Sequence, residues 1–591
     1  MRLANLAGLG VALLVLLVLS LPVVPSAGLR QGKYMYNPPP LQDHIAGVSQ
    51  SAYLSYYLQH PEQASAELRP AISALLAQGS DSGEQPLAGN ANDIVLAQGR
   101  FNKEDGTLPR SMPQNEESVT FCGSNTNEVL MGTNDYRGIF SGGNLTGWHF
   151  STNGSSVLNE GLLESVNPGS GDLPSRGDPV MRSRPATSGC NYYAASIAVN
   201  ADGSNLPSAI AIYATNSASL TNCAPCWQQK LTVVNSGTDF LDKAWMDVGS
   251  DGASGSVLWV AWTRFQNYGG AGGHSPVEAA RCVIQGGSGL ISSCTAPIPL
   301  SAVTAEGQYP YVTMAPNGRT YITWIEVASS AGGDVFTIYM RVAEPGATTF
   351  GNPMVVYQEQ HPLGFATSLS QNDFRVSSIP SATALDLGGG TNRVYIAWAF
   401  CQQLVRVSVV DTCRDSDLKI THADDGQPFG TPLTLTAAGS QYFPSIDADN
   451  TGQRLYLTYY SNEADPWNHR QQVILASSPP DLSGFTSTAL NAAYPPGDLN
   501  CDHFVGVIDM ILGLQAIAGN IPPLGGCPVD LNEPDADPYL GGLFIGDYME
   551  VAAENGLAYV GYTANFTKLN FLGTGPPTYQ QDNYLAKFIF P

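Results

Sequence analysis

The run Asp242-Lys243-Ala244-Trp245-Met246, followed after a short gap by Trp259-Val260-Ala261-Trp262, decides how the rest of the chain is read. An acidic residue or amide opens a short apolar strand, and a second strand rich in aromatic and β-branched residues comes after it. Such openings recur at Glu116, Asp178, Asp242, Gln308, Asp373, Gln441 and Asp547, in steps of 62, 64, 66, 65, 68 and 106 residues. A period sustained that long means one supersecondary unit repeated, and the longer last step announces an insertion.

The second strands repeat as well. They read Tyr321-Ile322-Thr323-Trp324, Tyr395-Ile396-Ala397-Trp398, Tyr456-Leu457-Thr458-Tyr459 and Tyr559-Val560-Gly561-Tyr562, with Cys190 to Ser196 and Val129 to Asn134 in the equivalent places of the first repeats. Short runs of this composition, bounded by turns such as Asn317-Gly318 and Asn555-Gly556, are what hairpins of a packed sheet require. A unit of about 65 residues with several short strands cannot bury both faces alone, whereas blades arranged radially bury them against each other. A row of separate β-sandwiches needs about 100 residues per unit. The expected fold is therefore all-β: a β-propeller of four-stranded blades, seven by the openings, six if the first repeat is degenerate.

The ends are read separately. Met1 to Ala27 carries Arg2, an apolar core from Leu6 to Leu21 and small residues at Ser26 and Ala27, the pattern of a secretory signal peptide, with an uncleaved membrane anchor as the second reading. Residues 28–109 read as a helical segment and linker: Ile45, Leu54, Leu58, Leu68, Ile72 and Leu75 have helical spacing broken by Pro61 and Pro70, and Gly79 to Asn92 is polar and glycine-rich. The propeller is expected over 110–591. Charged residues make up 13% and the net charge is −24, which repels phosphate backbones and anionic lipid surfaces. Nucleic acid and stable membrane insertion after signal cleavage are therefore excluded as expectations, and a secreted, extracellular or cell-surface protein is expected.

Ten cysteines fall into near neighbours: Cys223 with Cys226, Cys282 with Cys294, Cys401 with Cys413, Cys501 with Cys527, and Cys122 with Cys190 at longer range. In an exported chain an even count with local spacing reads as disulfides, though spacing alone leaves the connectivity open. Cys223-Ala224-Pro225-Cys226 has redox spacing but no βαβ context, so a structural bridge is the stronger reading.

The insertion contains Gly497-Asp498-Leu499-Asn500-Cys501-Asp502-His503-Phe504-Val505-Gly506-Val507-Ile508-Asp509. Side-chain oxygens of Asp498, Asn500, Asp502 and Asp509, with the Phe504 carbonyl, stand where an EF-hand-type loop places its calcium ligands. With the following Met510 to Gly519, the loop resembles one half of a type I dockerin repeat, in which paired cysteines, here Cys501 and Cys527, accompany the ion. His503 replaces the turn glycine, and Asp530-Leu531-Asn532 does not complete a second copy. Residues 497–532 are thus expected to form a small helical Ca2+-binding insert acting as a structural clamp; docking to a cohesin-type partner, which full dockerins perform with two repeats, is the lesser reading.

Elsewhere, Gly132-Thr133-Asn134-Asp135-Tyr136, Gly147-Trp148-His149-Phe150-Ser151-Thr152-Asn153-Gly154, Gly177-Asp178-Pro179 and Ile545-Gly546-Asp547-Tyr548 resemble stretches of the sialidase-like propellers, also called Asp-box or neuraminidase-repeat proteins. In the Asp-box-like run Ser151 to Leu158, Asn153 stands for the usual Asp and Leu158 for an aromatic. The resemblance implies the propeller fold and a turn-bracing role for Asn153. Sialoside hydrolysis in that family implies an arginine cluster, a Tyr nucleophile with its Glu, and an acid/base Asp. Here Arg375 alone lies near an opening, and Arg182, Arg264 and Arg319 share no repeat position.

The openings are the site expectation, since innermost strands begin near one mouth of the channel. Glu116, Asp178, Asp242, Asp373 and Asp547 are the weak catalytic candidates, as a cation site or a carboxylate pair for glycoside hydrolysis, against the blander reading that each braces the neighbouring blade. Trp245, Tyr309, Arg375, Tyr442 and Tyr548 are the candidates for ligand binding, against core packing. The expected function is non-catalytic recognition of a glycan or other surface ligand. A sialidase-like glycoside hydrolase and a structural adhesion component are the alternatives.

Overall fold

The computed structural model describes residues 95–102, 112–140, 143–169, 171–200, 206–253, 255–268, 273–330, 333–360, 367–369, 372, 374–402, 404–407, 410–413, 415–435, 439–463, 470–490, 510, 544–569 and 578–589. They form a seven-bladed β-propeller of four-stranded antiparallel blades. The innermost strands, blades one to seven, are Gln114–Cys122, Val180–Pro185, Phe240–Ser250, Gly307–Met314, Ser381–Asp386, Gln441–Asp449 and Glu550–Glu554. Each packs against the next, and the seventh packs against the first. The ring is closed at blade seven by Val95–Arg100, which pairs antiparallel with Tyr584 to Phe588 as the outermost strand. The propeller therefore begins at Val95, within the segment read from sequence as helix and linker.

The repeated element in the backbone is a bulge. In blades one, three, four and six the register skips two residues of the innermost strand, Glu116-Glu117, Lys243-Ala244, Tyr309-Pro310 and Phe443-Pro444. The first residue of each skipped pair has a left-handed backbone, at φ 58°, 51°, 54° and 51°. Asp178, at φ 52° ahead of Pro179, has the same conformation at the start of blade two. A bulged residue has no ladder partner for its N–H, and proline has none to leave orphaned. The sequence openings do not share one register: Glu116 and Asp178 are the left-handed residues, Asp242 and Gln308 precede them by one position, and Gln441 precedes Phe443 by two. Asp373 lies outside the described residues.

Two further interactions join the blades. Side chains of four innermost strands accept a backbone N–H from the next: Ser118 from Met181 (2.8 Å), Ser381 from Ile446 (3.0 Å), Ser445 from Val551 (3.1 Å) and Glu550 from Val119 (3.0 Å), of which Ser118 and Ser445 directly follow a bulge. Between the sheets, Trp262, Trp324, Trp398 and Tyr562, four of the five aromatic ends of the second strands, are buried, while the fifth, Tyr459, is half-buried. Four disulfides are formed among the described residues, Cys122–Cys190 between blades one and two, Cys223–Cys226, Cys282–Cys294 and Cys401–Cys413. The last closes an excursion of blade five, in which Thr367–Leu369, Arg375–Val376, Leu404–Val407 and Val410–Cys413 form a small additional sheet. The calcium-loop ligands Asp498, Asn500, Asp502, Phe504 and Asp509, the Cys501 and Cys527 pair, and residues 1–94 lie outside the described residues.

Glu117, in the first bulge, carries a pH dependence. Its carboxyl is fully buried at the junction of blades seven and one and accepts from Thr563 Oγ1 at 2.8 and 2.9 Å. Burial pushes it from 4.5 up to about 8, against the pull of that hydroxyl. Between these values the folded chain holds a proton that the unfolded chain has released, so this group's contribution to stability falls as pH rises through the window. Glu117→Gln is expected to melt progressively higher relative to the parent from pH 5 to pH 8. A difference in Tm that does not change with pH would show that Glu117 does not titrate in this way.

Candidate functional site

Two polar layers lie along the propeller axis, built from the starts and from the middles of the innermost strands. The first gathers most of the residues expected from sequence. Lys243, the bulge residue of blade three, donates Nζ to Asp547 and lies 3.8 Å from both Glu116 Oε1 and Asp178 Oδ2. Arg375, carried into the channel ahead of blade five, grips Asp547 through Nε at 2.9 Å and through a second guanidinium nitrogen. Asn134 joins the Glu116 carboxyl to the backbone of Asp178, donating to the first at 2.8 Å and accepting the N–H of the second at 2.9 Å.

This layer is buried: Glu116, Asp178 and Asp547 are at most 1% exposed, and Lys243 and Arg375 only 5% and 3%. Burial opposes ionisation of Asp547, but Arg375 and Lys243 outweigh it and hold the carboxyl below its ordinary value. For Glu116 the balance is reversed, and burial holds its carboxyl well above the ordinary value despite Lys243. Lys243 and Arg375 thus supply the countercharge inside a closed cluster of acidic residues. Its chemistry is that of a staple joining five blades.

The aromatic candidates are placed around it. Tyr309 is buried, with its ring 5.8 Å from Lys243 Nζ and its hydroxyl 3.4 Å from Ser377. Trp245 is 6% exposed, stacked on Tyr311 at 4.4 Å and edge-on to Tyr548 at 5.3 Å. Tyr442 is buried and donates to Gln471, and half-buried Tyr548 donates to the Pro179 carbonyl at 3.1 Å. Asp242, Gln308 and Gln441 are buried as well. In the Asp-box-like turn, Asn153 Oδ1 accepts the N–H groups of Ser155 and Ser156 at 3.0 and 2.9 Å, a turn brace between the last two strands of blade one.

The second layer is a cavity of about 190 Å³ lined from all seven innermost strands, which places it on the axis. Its charged groups are Arg182, Asp247, Asp447, Glu550 and Glu554, beside Tyr311 and Thr313. Arg182 sits between two carboxylates, 2.8 Å from Glu550 Oε1 and 3.5 Å from Asp247 Oδ1. Neighbouring blades hold the acids in place: Asp247 accepts the Met314 N–H at 2.7 Å, and Asp447 accepts the Ala553 N–H at 2.8 Å. Burial pushes Asp447 up to about 7, against its hydrogen bonds, and raises Glu550 and Asp247 in spite of Arg182.

None of these cavity residues is among the sequence candidates. A signal for two of them was present: Asp247 in Trp245-Met246-Asp247-Val248 and Asp447 in Ser445-Ile446-Asp447-Ala448 are acidic residues at the same step inside apolar strands. Arg182, which shares no repeat position with other arginines, is nonetheless the cavity's guanidinium. Arg264 and Arg319 instead form ion pairs with Asp239 and Glu278, and with Glu344 and Asp425.

No protein-family model matches the chain, and no curated protein matches its sequence. Among solved structures, an α-L-arabinofuranosidase of Fusarium graminearum in complex with an iminosugar inhibitor is similar at 10% identity and a TM-score of 0.39, over 66% of this chain and 99% of that one. An α-L-arabinanase of Penicillium chrysogenum complexed with arabinobiose is similar at 14% identity and a TM-score of 0.38, over 62% and 95%. A polysaccharide lyase, an ulvan lyase, is similar at 12% identity and a TM-score of 0.32, over 64% and 78%.

The staple reading of the first layer has a direct test. Lys243→Met leaves buried carboxylates facing Arg375 alone, and is expected to cost about 3 to 5 kcal/mol in urea unfolding. A loss below about 1 kcal/mol, the size of an exposed pair, would sink that reading.

Proposed function

We propose that this chain is an exported β-propeller that recognises a carbohydrate at its axial cavity. One observation carries the reading: of the two polar layers on the axis, the first is closed and its ion pairs are made within it, while the second surrounds open space with polar side chains from six of the seven blades. Planar carboxylates and a guanidinium held by neighbouring backbones suit the paired hydroxyls of a sugar, since each presents two oxygens or two N–H groups at fixed spacing. Export is supported by the signal-like Met1 to Ala27 and by the four disulfides.

A second reading, a glycoside hydrolase, is favoured by one specific feature. Asp447, pushed up to about 7, would hold a proton for a leaving group near neutral pH, with Glu550 or Asp247, both beside Arg182, as the second carboxyl. Sialidase-like hydrolysis is the form of this reading supported by the stretches Gly132 to Tyr136 and Gly147 to Gly154. In the insert, we propose that Asp498, Asn500, Asp502, the Phe504 carbonyl and Asp509 hold Ca2+, on the strength of the hard oxygen donors of the sequence.

A glycan array of the mature protein, with released sugars analysed from the same wells, separates the readings. Binding without product is expected, weakened by Asp447→Asn; released sugar that Asp447→Asn abolishes would establish the hydrolase instead. For the insert, Ca2+ is expected to raise Tm over chelator in the parent and not in Asp498→Ala. Equal Tm values for the parent in calcium and chelator would refute the clamp.

A further inference from the structure

We infer that the axial cavity selects a ligand carrying a cationic nitrogen, such as a hexosamine with a free amino group, over neutral and anionic sugars. This rests on the reading of the cavity as a carbohydrate site and narrows its ligand class. The argument is one of charge and prior commitment. Asp247, Asp447 and Glu550 surround a single guanidinium, that of Arg182.

Arg182 is already shared. Its Nε faces Asp247 and its terminal nitrogen faces Glu550, while a further N–H donates to the Met181 carbonyl at 2.8 Å. Its guanidinium carbon lies 5.7 Å from the centre of the Trp245 ring, so packing fixes it as well. Asp447, by contrast, is held only by neutral donors in its direct hydrogen bonds: the N–H groups of Ala553 and Ala448, both at 2.8 Å, and the Thr383 hydroxyl at 3.1 Å. Its carboxylate forms no ion pair among the described residues.

A ligand entering the cavity displaces the water that solvates these acids. A neutral sugar would leave the excess negative charge in a drier environment, and a uronic or sialic acid would add to it. An ammonium offers the missing countercharge and three donors to carboxylates whose positions are already set, so no ordering cost arises on the protein side. The volume, about 190 Å³, is below the roughly 300 to 1,000 Å³ of pockets for drug-sized molecules and suits a single small unit.

The test is calorimetric titration of the mature protein with glucosamine, glucose, glucuronic acid and 1,5-diaminopentane at pH 8. Glucosamine is expected to bind at least about tenfold more tightly than glucose, with no binding of glucuronic acid, and Asp447→Asn is expected to remove that preference. The exposed Glu344→Gln serves as a charge control and is expected to leave it intact. Equal affinity for glucose and glucosamine overturns the charge selection while sparing the carbohydrate reading. Diaminopentane binding as tightly as glucosamine keeps the charge selection and overturns the carbohydrate reading. Absence of binding by all four overturns both, and the comparison within the parent protein stands even if Asp447→Asn fails to fold.

Discussion

The structure depends on side chains of one innermost strand capturing backbone N–H groups of the next. In a propeller the innermost strands have a free edge at the channel, and edge N–H groups left without acceptors in a narrow channel would be costly. Ser118, Ser381, Ser445 and Glu550 supply such acceptors, and Asp247 and Asp447 supply them as well. In blades one, three and six a bulge with a left-handed residue comes before these side chains and bends the strand ahead of them.

The same constraint governs the chemistry of the axis. Where the strands start, the charges are consumed by one another: Lys243 and Arg375 against Asp178 and Asp547, with burial holding the Glu116 carboxyl well above its ordinary value. Further along the strands, carboxylates anchored by neighbouring backbones face open space around Arg182. Bracing and presentation are thus performed by the same residues. Asp447 bonds to blade seven with one oxygen and to Thr383 of blade five with the other.

The repeat, the strand composition and the aromatic ends of the second strands were legible because they follow from burial: Trp262, Trp324 and Trp398 can occupy those positions only between packed sheets. The local cysteine pairs were legible for a similar reason, since Cys282 and Cys294 lie opposite each other on adjacent strands. The first axial layer was half legible. Glu116, Asp178, Arg375 and Asp547 were singled out, but as an open mouth, because a sequence shows charge without showing that Lys243 lies among them. The cavity was not legible as a site. Arg182, Asp247 and Glu550 converge only through the ring, and the closing strand Val95–Arg100 carries no repeat signal because it completes a blade begun more than 450 residues later.

That closing strand sets the order in which the molecule can be made. Arg100 bonds to Asp582 across a separation of 482 residues, so the outer strand of blade seven has no partner until more than 480 further residues have been made. Non-local pairing of this kind delays folding, because the entropy of closing the longest loop is met before the last contacts return it. Six blades can accumulate as an open arc during synthesis, but the axis has no defined diameter until the ends meet. Neither polar layer, then, exists in a partly made chain: the ring acquires its interior in a single late event.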